Sequence, residues 1–197
     1  MDEKHPRAPV SPYGQSKLMV EDMLSACRER EGMQIVSLRY FNAAGATPDA
    51  SLGEAHTTET HLIPLALAAA LGRRPGLKLF GTDYETRDGT CVRDYVHVMD
   101  LAAAHLGALS ALLEGHPGGG FNVGTGVGTT VREVLAAIER VTGLAVPHEA
   151  APRRDGDPAA LYAKADRIRS EFGWSPRYTA IDDIVETAAM WAKRPRY

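Results

Sequence analysis

Only two cysteines, Cys27 and Cys91, occur among the 197 residues, and they form no CxxC pair. A disulfide framework and a cysteine-based metal centre are therefore excluded as the basis of the fold, and two buried free thiols are expected instead. Seven histidines are scattered without HExxH spacing, so the pattern makes no case for a metal site. Neither sign of charge dominates: 22 basic and 25 acidic side chains leave a formal charge of -3. That balance excludes the basic face that holds a nucleic-acid backbone or an anionic membrane. Long apolar runs are missing as well. The longest, residues 62–71, is broken by Pro64 and falls far short of the ~20 residues that span a bilayer. The charged start Met1-Asp2-Glu3-Lys4 is not a secretory leader. The expectation is a cytoplasmic protein whose partner is a small molecule or another protein.

An apolar fraction of 44% is enough to bury a real core, and the pattern of elements is mixed. Ser11 can cap a helix with Pro12 in its first turn, and Met19, Val20, Met23, Leu24 and Cys27 recur at helical spacing until Gly32 stops it. A β-rich run, residues 35–41, follows directly, and this helix-then-strand order predicts a parallel α/β sheet. Further on, the sequence predicts a helix over 61–72, strands over 77–80 and 91–98, and an alanine-rich helix capped by Asp100, on which His105 is read as packed. A strand over 121–123 comes next. Thr130 and Glu133 then have capping-box spacing at the front of a helix running to Thr142. A strand-like 146–149 and two helices, 164–172 and 181–191, complete the chain. The glycines Gly124, Gly126 and Gly128 precede a helix but do not spell G-x-G-x-x-G, and the stretch reads as a structural turn.

Three groupings carry possible chemistry. Tyr13 and Lys17 lie four residues apart, so a helix puts phenol and ammonium on one face. A cation beside the phenol favours the phenolate, which can accept a proton from a sugar hydroxyl; taken alone, the pair reads as two surface residues. Arg93-Asp94 reads as an ion pair or an anion contact. Arg153-Arg154-Asp155 reads as a solvated loop or as part of a ligand site, since guanidinium groups give paired donors to phosphate.

In order and spacing these segments resemble one family. Ser11-Pro12-Tyr13-Gly14-x-Ser16-Lys17 followed by Leu38-Arg39-Tyr40-Phe41-Asn42-x-x-Gly45 resembles the extended short-chain dehydrogenase/reductases. Ile63-Pro64, Phe80-Gly81-x-Asp83-Tyr84, the run from Asp88 to Leu101, Asn122-Val123-Gly124 and Pro152-Arg153-Arg154-x-Gly156-Asp157 are similar to the UDP-glucose 4-epimerase family. The resemblance implies the carboxy-terminal part of a Rossmann-type doubly wound parallel sheet followed by a smaller α+β substrate domain. Residues 1–50 would belong to the NAD-binding part and 51–197 mostly to the UDP-sugar part, with segments returning to the sheet. It also implies Tyr13 as catalytic base and Lys17 as its partner, both touching NAD, with Phe41 lining the cofactor. Asn42 falls at a substrate contact, and His61 and Leu62 at the diphosphate region. Lys78, Leu79 and Phe80 fall where backbone and ring hold uracil. Arg93, Arg154 and Asp157 fall where phosphate and ribose are held, and Leu161 where some members carry a bulky aromatic that limits the sugar pocket.

What the resemblance implies for the intact protein is NAD-dependent interconversion of UDP-glucose and UDP-galactose through a 4-keto sugar, by a homodimer. The family's glycine-rich dinucleotide turn, its acidic adenosine-ribose contact and its serine or threonine beside the tyrosine are absent from this sequence. The chain is expected to begin inside the cofactor domain, to leave apolar surface and strand edge uncovered, and to be inactive alone. Three rival readings stand beside this one: an epimerase for a UDP-pentose or UDP-N-acetylhexosamine, a nucleotide-sugar-binding module without catalysis, and a structural partner in a dimer.

Overall fold

In the computed structural model, which describes residues 1–194, the chain alternates helices and short strands. Helix α1 (Pro12–Glu31) starts where Ser11 accepts a hydrogen bond from the Gly14 amide, and ends where Gly32 turns left-handed with φ 67°. Strand β1 (Ile35–Tyr40) pairs in parallel with β6 (Gly118–Val123), from Ile35 opposite Gly118 to Tyr40 opposite Val123. Alternation along β1 sends its side chains to two sides. Val36 and Leu38 pack with Phe121, Val123, Leu101 and Ala104, the last two from helix α3 (Val98–Leu113). Ile35, Ser37 and Arg39 face α1 across a cavity of about 250 Å³. Helices on both faces of a parallel pair make the doubly wound arrangement that was expected.

The second core is built by helices α2 (Leu62–Ala70), α4 (Val131–Thr142) and α6 (Ile181–Lys193), whose Ile63, Leu67, Val134, Ile138, Ile184 and Val185 are buried together. The expected capping box is present on α4: Thr130 accepts from the Glu133 amide, and Glu133 accepts from the Thr130 amide. Two strand pairs border this core. In parallel register, β2 (Asn42–Ala44) lies beside β5 (Tyr95–His97), and β3 (Leu77–Phe80) beside β8 (His148–Ala151). A small mixed sheet sets β4 (Val92–Arg93) between β7 (Thr129–Thr130) and β9 (Ala160–Leu161), and α5 (Asp166–Phe172) packs on β6.

Several expectations are corrected. The single strand 91–98 is two strands, because the chain turns at Asp94 to bury its carboxylate. Asp100 does not cap α3; the His97 ring does, accepting from the Met99 amide at 3.1 Å. The Asp100 carboxylate instead accepts from the Arg177 and Tyr178 amides at 2.9 and 3.0 Å, and its carbonyl accepts from Trp174 Nε1. His105 is exposed rather than packed, with its ring 6.2 Å from that of Tyr40. Cys91 is buried but Cys27 only half so. On α1, Leu24 and Cys27 are half-buried, whereas Met19, Val20 and Met23 are exposed, because none of the described elements packs on that side of the helix. The strand expected over 146–149 runs two residues later, since Val146 is drawn into the second core.

Candidate active site

Of the expected ligand residues, Phe80, Arg93, Arg154, Asp157 and Leu161 meet where β3, β4, β9 and the loop before β9 come together. Register places Arg93 beside Leu161 on neighbouring parallel strands. The Arg93 guanidinium donates to the Asp157 carboxylate, 64 residues on, and to the Val92 carbonyl at 2.6 Å. Arg93's side chain is only 11% exposed, so its charge needs a partner, and Asp157 supplies one. Arg93 makes no ion pair with the adjacent Asp94. Arg154 lies over the Phe80 ring at 4.0 Å, a cation on an aromatic face. The Asp157 amide donates to the Arg154 carbonyl at 3.2 Å, joining the two contacts through one loop. Two arginines, a carboxylate and an aromatic ring are thus gathered from segments that lie far apart in the chain.

On β3, Phe80 is half-buried and Lys78 exposed, but Leu79 is buried, so its side chain offers no face to a ligand. Asn42 opens β2 opposite Tyr95 with its side chain exposed, and its amide donates to the Asp94 carbonyl at 2.9 Å. Phe41 precedes it and is half-buried.

Asp94 is the anchor of this region. Its fully buried carboxylate accepts from the Thr125 amide at 3.0 Å, the Thr125 hydroxyl at 2.6 Å, and the Gly126 and Ala163 amides, both at 3.1 Å. A side chain at Gly124 would bring its Cβ within 2.5 Å of Asp94, so glycine there lets the turn close on the carboxylate. The glycine-rich turn thus spends its amides on an internal anion rather than on a phosphate. On the other face of the small sheet, Val92 and Ala160 line a hollow of about 550 Å³ with Arg87, Val127 and Tyr162. Strand alternation keeps Arg93 and Leu161 out of it.

Tyr13 and Lys17 stand together at the start of α1, with the ammonium 5.1 Å from the ring centroid and the phenol 72% exposed. Among the described residues, no hydrogen bond, ion pair or ring contact joins them to the arginine group. The lead-in to the helix does reach it: a Cβ at Gly156 would lie 3.8 Å from Val10 Cγ2. His61 caps α2 by position without a side-chain bond to it, and Leu62 is the first helical residue.

Two features were not assigned a role from the sequence: the Tyr84 hydroxyl and a cluster that includes His61. Tyr84 is 6% exposed, and its hydroxyl is the buried side-chain polar atom without a partner among the described residues. Burial, and then the charge of Asp157, push its ionisation up. Burial also pushes the Cys91 thiol up, which keeps it protonated and a poor nucleophile. The second group is Glu54, His56, Glu59 and His61, whose ligating atoms all lie within 4.8 Å of one another. Their Glu-x-His-x-x-Glu-x-His spacing was the available signal. It escaped a search for HExxH because the pattern follows a loop rather than one face of a helix. Glu54 is held above its usual range, first by burial and then by the nearby Glu59 charge.

Comparison with known proteins shows the family and the fold. A family model described as GDP-mannose 4,6 dehydratase matches residues 1–187. The UDP-glucose 4-epimerase of Halalkalibacterium halodurans is 48% identical over 193 residues, 98% of this chain and 58% of the relative. That of Rhizobium meliloti is 52% identical over 194 residues, 98% of this chain and 59% of the relative. Among solved structures, the UDP-glucose 4-epimerase of Brucella ovis in complex with NAD superposes with a TM-score of 0.93 at 46% identity, over 96% of this chain and 59% of that one. The UDP-Glc/GlcNAc 4-epimerase of Campylobacter jejuni does so with a TM-score of 0.78 at 44% identity, over 98% and 59%. The chain thus spans 58–59% of the length of these curated relatives. Among the described residues, no helix is long and apolar enough to cross a membrane. With the family model matched from residue 1 to residue 187 and the parallel α/β fold shared with these solved structures, the chain belongs to the GDP-mannose 4,6 dehydratase family and is homologous to the carboxy-terminal region of UDP-glucose 4-epimerases.

Proposed function

We propose that this chain supplies the nucleotide-sugar clamp and the proton-transferring pair of an NAD-dependent epimerase that interconverts UDP-glucose and UDP-galactose. The observation that carries the reading is the convergence of Arg93, Asp157 and Leu161 with the Arg154–Phe80 pair. The donor set suits a uridine diphosphate. Guanidinium groups offer paired donors to phosphate oxygens, a carboxylate accepts from a ribose diol, and an aromatic ring offers a stacking face to uracil. A diphosphate arriving at Arg93 competes with Asp157 for the guanidinium, which releases the carboxylate to the ribose.

The Lys17 ammonium beside the Tyr13 ring favours the phenolate form, which accepts the proton of the sugar 4-hydroxyl, becomes the phenol, and returns that proton when the 4-keto group is reduced. The residues present fit the nicotinamide end of the cofactor: an exposed phenol and ammonium share a helix face, and Phe41 follows the end of β1. No glycine-rich turn for the pyrophosphate occurs in the 197 residues, and in the turn at 124–128 the Thr125 and Gly126 amides are committed to Asp94. The cofactor, when bound, supplies reversible oxidation at C4. The clamp then holds the UDP moiety while the 4-keto sugar turns, so the protein's part is orientation and proton transfer. Solved relatives bound to NAD support this cofactor, and the exposed Met19, Val20 and Met23 of α1 support a homodimer formed through that helix.

A second substrate is favoured by Leu161. Its half-buried side chain, beside Arg93, is smaller than an aromatic and leaves room for an N-acetyl group, as the likeness to a UDP-Glc/GlcNAc epimerase supports. Calorimetry with UDP-glucose, UDP-N-acetylglucosamine and NAD, each added separately to the 197-residue chain, tests these readings. Binding of both UDP-sugars without NAD is the expected result. Failure of UDP-glucose to bind would overturn the clamp; failure of the N-acetylated sugar alone would overturn only the wider specificity.

A further inference from the structure

The loop between β2 and α2 gathers four side chains that the proposed reaction does not require as a set. Glu54 Oε1 lies 2.5 Å from His61 Nδ1 and 3.2 Å from His56 Nε2, and His61 Nδ1 lies 3.1 Å from Glu59 Oε1. All four ligating atoms fall within 4.8 Å of one another. We propose that Glu54, His56, Glu59 and His61 form a binding site for one divalent transition-metal ion of the zinc class.

The donor set selects the metal. Two imidazole nitrogens with two carboxylates suit zinc, whereas calcium and magnesium take oxygen-only shells. A tetrahedral zinc site with bonds of about 2.0–2.1 Å has donors about 3.3–3.4 Å apart. Three separations, 2.5, 3.2 and 3.1 Å, reach that polyhedron by opening under ~1 Å, and the other pairs, all within 4.8 Å, by closing about 1.5 Å at most. The imidazoles can make that shift, because His56 and His61 are 54% and 56% exposed. The carboxylates form the floor, at 22% and 21% exposure.

Much of this geometry is already held in place. Trp191 Nε1 donates to the Glu54 carbonyl at 2.8 Å, and Gly53 lets the backbone lie on the indole, since a Cβ there would meet the ring at 2.3 Å. Glu59 Oε1 accepts from the Thr60 and His61 amides, both at 2.7 Å, which fixes its rotamer. Among the described residues, neither carboxylate is paired with a lysine or an arginine. The two histidines are their only ionic partners there, so a dication would meet uncompensated charge. The inference does not depend on the identity of the sugar or on the reaction.

The test is titration of the metal-stripped chain with Zn²⁺ by calorimetry, and with Co²⁺ by visible absorption. One Zn²⁺ per chain and an intense tetrahedral Co²⁺ spectrum are expected. Glu54→Gln and His56→Gln should each weaken binding by ~100-fold or more, because replacing a ligand costs at least as much as disturbing its outer shell. His116→Gln, at a histidine paired with Glu171 elsewhere, should leave binding unchanged. Absence of stoichiometric zinc binding would overturn the proposal. So would undiminished binding by the Glu54→Gln/His56→Gln double variant, which would place the ion on other residues.

Discussion

Replacing Asp94 by asparagine removes one negative oxygen from a site that uses both. In the structure one carboxylate oxygen accepts from the Thr125 amide and hydroxyl, and the other accepts from the Gly126 and Ala163 amides. Asparagine keeps one acceptor and turns the other atom into an NH₂ group facing two donors. With the NH₂ group towards Gly126 and Ala163 both of their bonds are lost; with it towards Thr125 the amide bond is lost and the hydroxyl must turn to accept instead. Bonds to a charged group contribute about 1.5–3 kcal/mol each, and a buried unsatisfied donor costs about 1–3 kcal/mol. The surviving pair also loses its charge assistance, while the Gly126 amide, on an exposed residue, recovers part of its loss from water. A net destabilisation of ~3 kcal/mol is expected for Asp94→Asn and ~4–5 kcal/mol for Asp94→Ala. Urea unfolding followed by Trp174 and Trp191 fluorescence measures it: with a slope of ~2 kcal/mol/M, the asparagine midpoint should fall by ~1.5 M. Amide exchange at Thr125, Gly126 and Ala163 should accelerate together. A change under ~1 kcal/mol for Asp94→Asn would refute the reasoning, because it would mean that the turn finds other partners at no cost.

Three further outcomes are expected. Arg93→Ala should weaken UDP binding by ~100-fold by calorimetry, since it removes a charged donor and strands Asp157, whereas Arg154→Ala, losing mainly a cation on a ring, should cost ~10-fold. Tyr84→Phe should leave stability unchanged or raise it by ~1 kcal/mol in urea unfolding, because it deletes a buried hydroxyl that has no partner; a loss of 2 kcal/mol or more would reveal a hidden bond. His97 is buried with Nε2 2.9 Å from the Thr187 hydroxyl and its ring stacked 3.8 Å from that of Tyr178. Burial holds it below its ordinary 6.5, against the opposing charges of Asp100 and Asp183. Because its folded value is lowered, the unfolded chain binds more protons in the window just below 6.5. Stability from His97 is therefore complete above that pH and declines as pH falls towards the folded value. His97→Gln should flatten the urea midpoint between pH 7 and pH 5; an unchanged slope would exclude His97 as its source.

Much of this was readable before any coordinates, because some determinants act within a few residues. Ser11 and Gly32 bound α1, and Thr130 with Glu133 opens α4, through bonds spanning only three or four positions. Spacing put Tyr13 and Lys17 on one helix face and denied the glycines at 124–128 a phosphate loop, whereas Arg93, Arg154 and Asp157 were marked only by the resemblance to a family. Tertiary structure decided what those residues do to one another. Arg93 meets Asp157 across 64 residues because β4 and β9 are in parallel register. Asp94 splits a run that reads as one strand because its buried carboxylate needs donors from Thr125, Gly126 and Ala163. His97, unremarkable in a β-rich stretch, caps α3 and stacks on Tyr178 from a distant loop. Glu54, His56, Glu59 and His61 converge only because a loop folds back against Trp191. Capping and periodicity are local and so are written in neighbouring letters, whereas register and the satisfaction of a buried charge depend on which distant segments the packed core brings together.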